Sequence, residues 1–205
     1  NMRWRFTQWD ESVARNAAGR VDSCLEEIEW IESRRKEMLD FAELIENGTI
    51  PCRVTHNDTK ISNILFDAKT REVLCAIDLD TVMSASVLND VGDALRCYTN
   101  TGAEDAQDLS TVSMSLEMFT AYIRGYLSEM GPSLCPAELD YLAFSGRYIT
   151  FEQVLRFLMD YLDGDTYYKT KYPEHNLVRA RAQYKLLQSM EAQFPQMCEI
   201  VASLR

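Results

Sequence analysis

Six polar residues between positions 56 and 80 are of types that could do chemistry together. Four of them crowd into eight positions, and two more follow an apolar run: His56, Asp58, Lys60 and Asn63, then Asp78 and Asp80. Such a cluster is too polar for a hydrophobic core. It is also interrupted too regularly for the solvated face of a helix. These residues are therefore the first candidates for a functional site.

The elements that must position these residues are two short strands. Residues 64–66 and 73–77 are rich in apolar and β-branched side chains, and the polar segment 67–71 separates them. This pattern predicts a β-hairpin. Because the two ends of a hairpin meet at one edge, Asp58 and Asn63 should lie beside Asp78, although about 20 residues separate them along the chain.

Phosphoryl transfer is the reaction that needs this set of side chains. Asp58 could accept the proton of an attacking hydroxyl, and the oxygens of Asn63 and Asp78 are hard ligands suited to Mg²⁺ on nucleotide phosphates. Taken singly, Asp58 could be a turn or cap residue and Asp78 a strand terminator, because Asp is common in both places. The combination on a strand-loop-strand frame favours kinase-like chemistry.

The motif resembles a known family. His-x-Asp, an Asn five residues after the Asp, and Ile-Asp-x-Asp at a strand end are typical of the aminoglycoside and choline phosphotransferase superfamily, a branch of the protein-kinase-like enzymes. The longer strings are most similar to the N-acetylhexosamine 1-kinase subgroup: THNDTK, ILFD, AIDLDTVM, NDVGDALR and RFLMDYLDGD.

The resemblance implies a role for each residue of the cluster. Asp58 would be the catalytic base, and His56 would hold the catalytic loop rather than react. Asn63 and Asp78 would bind Mg²⁺, with ATP as co-substrate. Lys60, Asp80 and Asp90 are assigned supporting roles. From the residues alone, Asn89 and Asp90 suit a helix start, whereas Asp90 or Asp93 could instead anchor the catalytic loop by accepting backbone hydrogen bonds.

Composition limits the class of protein. The chain has 205 residues, 46% of them hydrophobic, and a net charge of −11. This length and apolar content predict one globular domain, and the negative charge opposes a nucleic-acid partner. The sequence offers neither a membrane span nor a signal peptide, so a cytoplasmic protein without a membrane partner is expected. The six cysteines are expected to be reduced, with Cys75 packed in the core.

Apolar periodicity predicts mainly helical structure around the hairpin. Residues 9–47 are predicted to form one long amphipathic helix, with a shorter helix before it as an alternative. Further helices are predicted over residues 88–98 and 105–130, the latter ended by Gly131-Pro132. Residues 136–162 predict one or two buried helices. A last helix is predicted from residue 175 to the end, with a possible break at Pro195.

Three polar residues recur at four-residue spacing within the predicted 136–162 segment: Glu152, Arg156 and Asp160. This spacing places them on one helix face. A surface ion-pair ladder is the alternative, but the strongly apolar neighbours favour a face that lines a cleft. Arg156 is therefore the predicted substrate contact, in keeping with the sugar-kinase resemblance.

The predicted fold is a single, mainly α-helical domain with a small β-hairpin. By resemblance, residues 1–205 correspond to the C-terminal catalytic lobe of a kinase-like phosphotransferase, because no Gly-containing, strand-rich segment with a phosphate-binding lysine precedes His56. An absent N-terminal lobe would leave a surface open to self-association. The expected partners are a sugar and a nucleotide. A non-catalytic helical domain that binds a small molecule or a partner is the alternative.

Overall fold

The computed structural model describes residues 1–205 and contains eight α-helices and four short strands. The helices are α1 (Met2–Arg15), α2 (Leu25–Glu32), α3 (Arg35–Glu46), α4 (Val87–Tyr98), α5 (Leu116–Met130), α6 (Pro136–Leu162), α7 (His175–Ala192) and α8 (Phe194–Leu204). The strands are β1 (Arg53–Thr55), β2 (Ile64–Phe66), β3 (Val73–Ala76) and β4 (Met83–Ala85). The prediction of a mainly α-helical fold is confirmed.

Helix α6 is the centre of the core. It is a single helix of 27 residues, and most of its side chains are buried because α1, α4, α7 and α8 all pack against it. Its apolar residues therefore occur on every side rather than along one stripe, as expected for a helix surrounded by others. At its start, Glu138 is fully buried and accepts two hydrogen bonds of 2.7 Å from the guanidinium of Arg53 in β1.

Two glycines allow α4 to lie directly against α6. A Cβ atom at Gly92 would clash with the backbone carbonyl of Ser145, and one at Gly146 would lie 3.3 Å from a side-chain carbon of Leu95. A larger residue at Gly92 would have to push the two backbones apart. The position of α4, which carries Asp90 and Asp93, is thus fixed relative to α6.

The prediction of one long helix over residues 9–47 is wrong. The segment forms α1, a 3₁₀ turn at Val21–Ser23, α2 and α3, and α1 begins as early as Met2 with Asn1 as its cap. The chain turns after α1 because Asn16 has a left-handed backbone (φ 45°) and Gly19 does too (φ 67°). Asn and Gly tolerate this conformation best, so they end the helix despite the continuing apolar period.

The helix predicted over residues 105–130 is shorter than its apolar pattern suggests: α5 has 15 residues. Only α5 is helical, and it begins after Ser115, whose hydroxyl accepts a hydrogen bond from the backbone N–H of Met118. Before it, Asp108 caps a 3₁₀ turn, and Met114 forms a β-bridge with Asn100. Local side-chain caps and the bridge compete successfully with helix formation there. A 3₁₀ turn that starts at Gly131 ends α5, as predicted.

The predicted hairpin is confirmed, and a second strand pair accompanies it. Strands β2 and β3 pair antiparallel, and the Asp67 carboxylate closes the turn by accepting the backbone N–H groups of Lys69 and Thr70. Strand β4 was not predicted, because its small residues give no strand signal. It pairs with β1, with Val54 opposite Ser84. Together the two pairs bring both ends of the 56–83 segment to one place.

This β region exposes many large apolar side chains. Cys75, predicted to pack in the core, is exposed, as is the whole of β3, because no helix of the chain packs against the hairpin. Ten large apolar residues between positions 54 and 83 are at least 38% exposed: Val54, Ile61, Leu65, Phe66, Val73, Leu74, Ile77, Leu79, Val82 and Met83. We call these ten residues the β-face.

No helix in the structure is long and apolar enough to span a bilayer.

Candidate active site

The first four residues of the polar cluster lie on the loop that joins β1 to β2, and a carboxylate of α4 fixes this loop. Asp90 accepts hydrogen bonds from the backbone N–H groups of His56 (2.8 Å) and Asn57 (2.6 Å). Such charge-assisted bonds to backbone are strong. They allow Asn57 to keep a left-handed backbone of φ 62°. Asp93 instead pairs with Arg96, and Ser86 caps α4.

Three residues that the sequence did not single out also hold the loop. The Thr81 hydroxyl donates to the carbonyl of His56 at 2.6 Å, and the Asn57 amide donates to the carbonyl of Thr81. The Tyr98 hydroxyl donates to the carbonyl of Thr59, and burial raises the pKa of this phenol to about 12, so it remains a donor. These contacts join residues far apart in sequence, so no local sequence pattern predicts them.

His56 connects the loop to the end of the hairpin. Its Nε2 lies 2.9 Å from the carbonyl oxygen of Ile77, and since a carbonyl can only accept, Nε2 carries the proton. The other ring nitrogen is buried and has no hydrogen-bond partner. The imidazole is therefore placed to hold the loop one residue away from Asp78, and it does not reach the Asp58 carboxylate.

Asp58 is engaged through one carboxylate oxygen only. Its Oδ2 accepts hydrogen bonds from the ammonium of Lys60 (2.6 Å) and from the side-chain amide of Asn63 (2.9 Å). Its Oδ1 accepts none, and the side chain is 28% exposed. One oxygen thus orients the carboxylate, and the other can receive a proton from a ligand in the adjoining cavity.

The residues predicted to bind Mg²⁺ keep oxygen atoms free for it. Asn63 is buried, spends its NH₂ group on Asp58, and accepts nothing at its amide oxygen. Asp78, in a left-handed backbone (φ 63°), has a half-exposed carboxylate whose one charged neighbour is Lys60 at 3.9 Å. The chain holds no cluster of three or more His, Cys, Asp or Glu side chains suited to a metal. These donors fit a Mg²⁺ ion that takes its remaining ligands from phosphate and water.

Asp80 does not join the network. It lies in the 3₁₀ turn Leu79–Thr81 that follows Asp78, is exposed, and makes no hydrogen bond or ion pair. The structure therefore gives it no contact with the other members of the cluster.

A cavity of about 560 Å³ joins Asp58 to the middle of α6. Asp58 and Asn57 line one side, and Glu152 and Arg156 line the other. Glu152 pairs with Arg5 of α1 (3.2 Å), while Arg156 has a hydrogen bond to Gln153 but no carboxylate partner. The helix face is thus part of a cavity wall and not an ion-pair ladder. Arg156 leaves a positive charge available to a ligand.

A groove of similar volume, about 580 Å³, lies between α2 and α7. One of its two acidic residues, Glu27, accepts hydrogen bonds from Arg181, and Trp30 and Tyr184 stack on each other at 3.9 Å. Glu26 and Lys185 also line this groove, but none of the residues of the polar cluster does. The cavity at Asp58 is therefore the candidate active site.

A sequence model of the family described as APH, phosphotransferase enzyme family, matches residues 1–127. The matched range is more than half of the chain. It includes the loop from His56 to Asn63, both strand pairs, Asp78 and Asp90, whereas Arg156 lies beyond it. The polar cluster and its frame thus lie within the matched range, and the chain belongs to the APH phosphotransferase enzyme family.

Proposed function

We propose that this chain is the catalytic lobe of an ATP-dependent small-molecule kinase that transfers the γ-phosphoryl group to a sugar hydroxyl. The observation that carries the proposal is the Asp58 carboxylate, held through one oxygen and facing a cavity with the other, beside the free oxygens of Asn63 and Asp78. A base next to two hard oxygen donors is the arrangement that phosphoryl transfer requires.

In this proposal Asp58 accepts the proton of the acceptor hydroxyl. Its Oδ1 is the atom that would receive the proton, because Lys60 and Asn63 already occupy Oδ2. Asn63 and Asp78 would hold Mg²⁺, which when bound neutralises charge on the nucleotide phosphates. Lys60, whose pKa is raised by its hydrogen bond to Asp58, stays cationic at the same point. His56 and Asp90 keep the loop in place.

The anomeric hydroxyl of an N-acetylhexosamine is the acceptor we propose. The support is the resemblance of the strings THNDTK, AIDLDTVM and RFLMDYLDGD to the N-acetylhexosamine 1-kinases, together with the position of Arg156 across the cavity from Asp58. An unpaired guanidinium offers several donors to the oxygen atoms of a sugar. Related kinases that act on an aminoglycoside, choline or homoserine are the alternatives within the same chemistry.

We also propose that a second, nucleotide-binding lobe covers the β-face. The support is the concentration of ten exposed apolar side chains on and between the strands from residue 54 to residue 83, since large exposed apolar areas usually mark interfaces. A cytoplasmic location is proposed because all six cysteines are unpaired, as is usual in a reducing compartment.

The test is a substrate screen with the full-length protein. N-acetylglucosamine, N-acetylgalactosamine, other hexoses, choline, homoserine and an aminoglycoside would each be supplied with ATP and Mg²⁺, and sugar 1-phosphate and ADP would be measured. We expect turnover with an N-acetylhexosamine. Turnover with choline or an aminoglycoside alone would replace the sugar by another acceptor. No turnover with any acceptor, combined with ligand binding by the folded protein, would favour the non-catalytic binding domain.

A further inference from the structure

A second, smaller cavity of about 270 Å³ adjoins the one at Asp58. The two cavities share the side chains of Arg5 and Arg156 in their walls. The smaller cavity is also lined by Tyr167 and Tyr168, which lie on the loop that follows α6. A ligand that reaches from Asp58 past Arg156 therefore meets these two aromatic rings.

The loop is held by the buried carboxylate of Asp160. Its Oδ1 accepts the backbone N–H groups of Thr166 (2.9 Å) and Tyr167 (2.8 Å). Its Oδ2 accepts the backbone N–H of Tyr168 (3.0 Å) and the side-chain amide of Asn176 in α7 (2.7 Å). Both oxygens of a group that is 4% exposed are thus occupied by the loop and by α7.

A second carboxylate extends the same network to the N-terminal region. Asp165 accepts a hydrogen bond from Asn176 (2.9 Å) and pairs with Arg20 (2.7 Å). Arg20 also donates to the carbonyl of Tyr161. The loop is therefore fixed from three sides, by α6, α7 and the segment that follows α1.

The result is a pair of tyrosines presented at a fixed distance from Arg156. The guanidinium carbon lies 5.8 Å from the ring centre of Tyr167 and 5.5 Å from that of Tyr168. Tyr168 packs on Phe157, whereas Tyr167 is 74% exposed and is held mainly through its backbone. An exposed aromatic ring on a rigid loop beside an unpaired cation is suited to contact a ligand at little entropic cost.

We propose that Asp160 is a positioning residue for acceptor binding, acting by fixing the loop that carries Tyr167 and Tyr168 beside Arg156. This inference rests on the proposed function, because the ligand is the acceptor of that reaction. Asp160 touches neither Asp58 nor the predicted metal ligands. Its loss should therefore change the binding of the acceptor and leave that of the nucleotide unchanged.

The experiment compares Asp160→Asn with a matched control in the full-length protein. The control is Glu27→Gln, which neutralises another buried carboxylate. Glu27 accepts hydrogen bonds from Arg181 in the groove between α2 and α7. Steady-state kinetics would give KM separately for acceptor and ATP, and hydrogen exchange would follow the amides of residues 166–168. An amide at position 160 cannot accept on both sides, so some of the charge-assisted bonds to these amides are lost.

We expect Asp160→Asn to speed exchange at residues 166–168 and to raise the acceptor KM by about tenfold or more, the effect of losing roughly one charge-assisted bond. The ATP KM should stay within about twofold of the wild type. Asp160→Glu, which keeps both oxygens, should recover part of the acceptor affinity. Tyr167→Ala, which removes an exposed ring, should raise the acceptor KM without changing exchange at residues 166 and 168.

An unchanged acceptor KM in Asp160→Asn, with the loop amides deprotected, would overturn the proposal. The proposal would also be overturned if Asp160→Asn changed the acceptor KM and the ATP KM equally and Glu27→Gln did the same. Such a result would show that Asp160 only stabilises the fold. Should Asp160→Asn fail to fold, an unchanged acceptor KM in Tyr167→Ala would have the same force. If the wild type phosphorylates no acceptor, the proposed function itself is wrong and the acceptor assignment falls with it.

Discussion

The ammonium of Lys60 donates a 2.6 Å hydrogen bond to the carboxylate of Asp58. The same ammonium is 3.9 Å from Asp78 and so lies between the proposed base and the proposed metal ligand. The hydrogen bond raises the pKa of Lys60, which therefore remains charged across the neutral pH range. A fixed positive charge thus lies within hydrogen-bond distance of the proposed base.

Asp58→Asn should abolish turnover and leave the fold intact. An amide keeps the shape of the carboxylate and can still accept from Lys60, but it cannot take a proton, and a positioned base contributes about 10²- to 10⁴-fold to the rate. The assay is turnover of the full-length enzyme, with circular dichroism to monitor the fold. Asp140→Asn, at an exposed carboxylate that pairs with Arg205, is the control. Wild-type turnover by folded Asp58→Asn would rule out the assignment.

Asn63 and Asp78 should bind a divalent ion weakly on their own and more strongly with nucleotide. Mn²⁺ replaces Mg²⁺ as a paramagnetic probe, and NMR line broadening would report the residues near it. We expect broadening around Asn63 and Asp78, and its loss in Asn63→Ala and Asp78→Asn. In the control Asp40→Asn, at an exposed carboxylate on α3, broadening should persist. Broadening centred elsewhere would contradict the metal site.

Gly92→Ala should destabilise the protein by about 1–3 kcal/mol, because the new methyl group meets the Ser145 carbonyl and forces α4 away from α6. Since α4 carries Asp90, the catalytic loop should also become more mobile. Gly125→Ala is the matched control: it lies in α5 with nothing within 4 Å of the added Cβ, so it should stabilise the protein by up to about 1 kcal/mol. Urea unfolding of both variants would measure the difference, and equal effects would refute the packing argument.

The isolated 205-residue chain should self-associate through the β-face. Leu74→Lys, at a residue 62% exposed on β3, should shift sedimentation toward monomer, because a charge there cannot be desolvated cheaply. Leu25→Lys, at a residue 63% exposed on α2 and outside the β-face, should leave association unchanged. If Leu74→Lys leaves self-association unchanged, the contact between copies lies outside the β-face.

The same chain alone should phosphorylate no sugar. The γ-phosphoryl group must be neutralised from two sides, and in the proposed two-lobe arrangement this chain supplies the side of Asp78 while the other lobe supplies the second side. Losing the other side should cost several kcal/mol of transition-state stabilisation, about tenfold in rate for each 1.4 kcal/mol. A coupled ADP assay on the chain, with and without an upstream nucleotide-binding segment, would measure this. Robust, Asp58-dependent turnover by the chain alone would show that the second lobe is dispensable.

The sequence could predict the hairpin and α6 because their signals are local. The turn Asp67–Arg71 consists of polar residues between two apolar runs, and α6 has apolar residues throughout. The polar cluster was recognisable from spacing alone, although the roles of its members remain predictions. The prediction of one long helix over residues 9–47 was wrong because the apolar periodicity continues through Asn16 and Gly19. The backbone conformations of these two residues end the helix.

The remaining features depend on contacts that a linear pattern does not contain. Strand β4 exists because β1 is there to pair with it, and the tethers from Thr81 and Tyr98 arise only when the chain has folded. Cys75 was predicted to be buried because its neighbours are apolar, yet nothing in this chain covers them. Burial is a property of what packs opposite a strand, and the strand's own sequence does not reveal it.

Helix α6 also fixes the directions in which its side chains point around the helix axis. Glu138, near its start, is bonded to Arg53 of β1, the strand that leads into the catalytic loop, while Arg156 faces the cavity five turns later. At 1.5 Å per residue, about 27 Å of rigid helix sets the distance between them. One inserted residue would rotate Arg156 by about 100° relative to Glu138 and turn it away from Asp58. This stretch of helix should therefore tolerate no change of length.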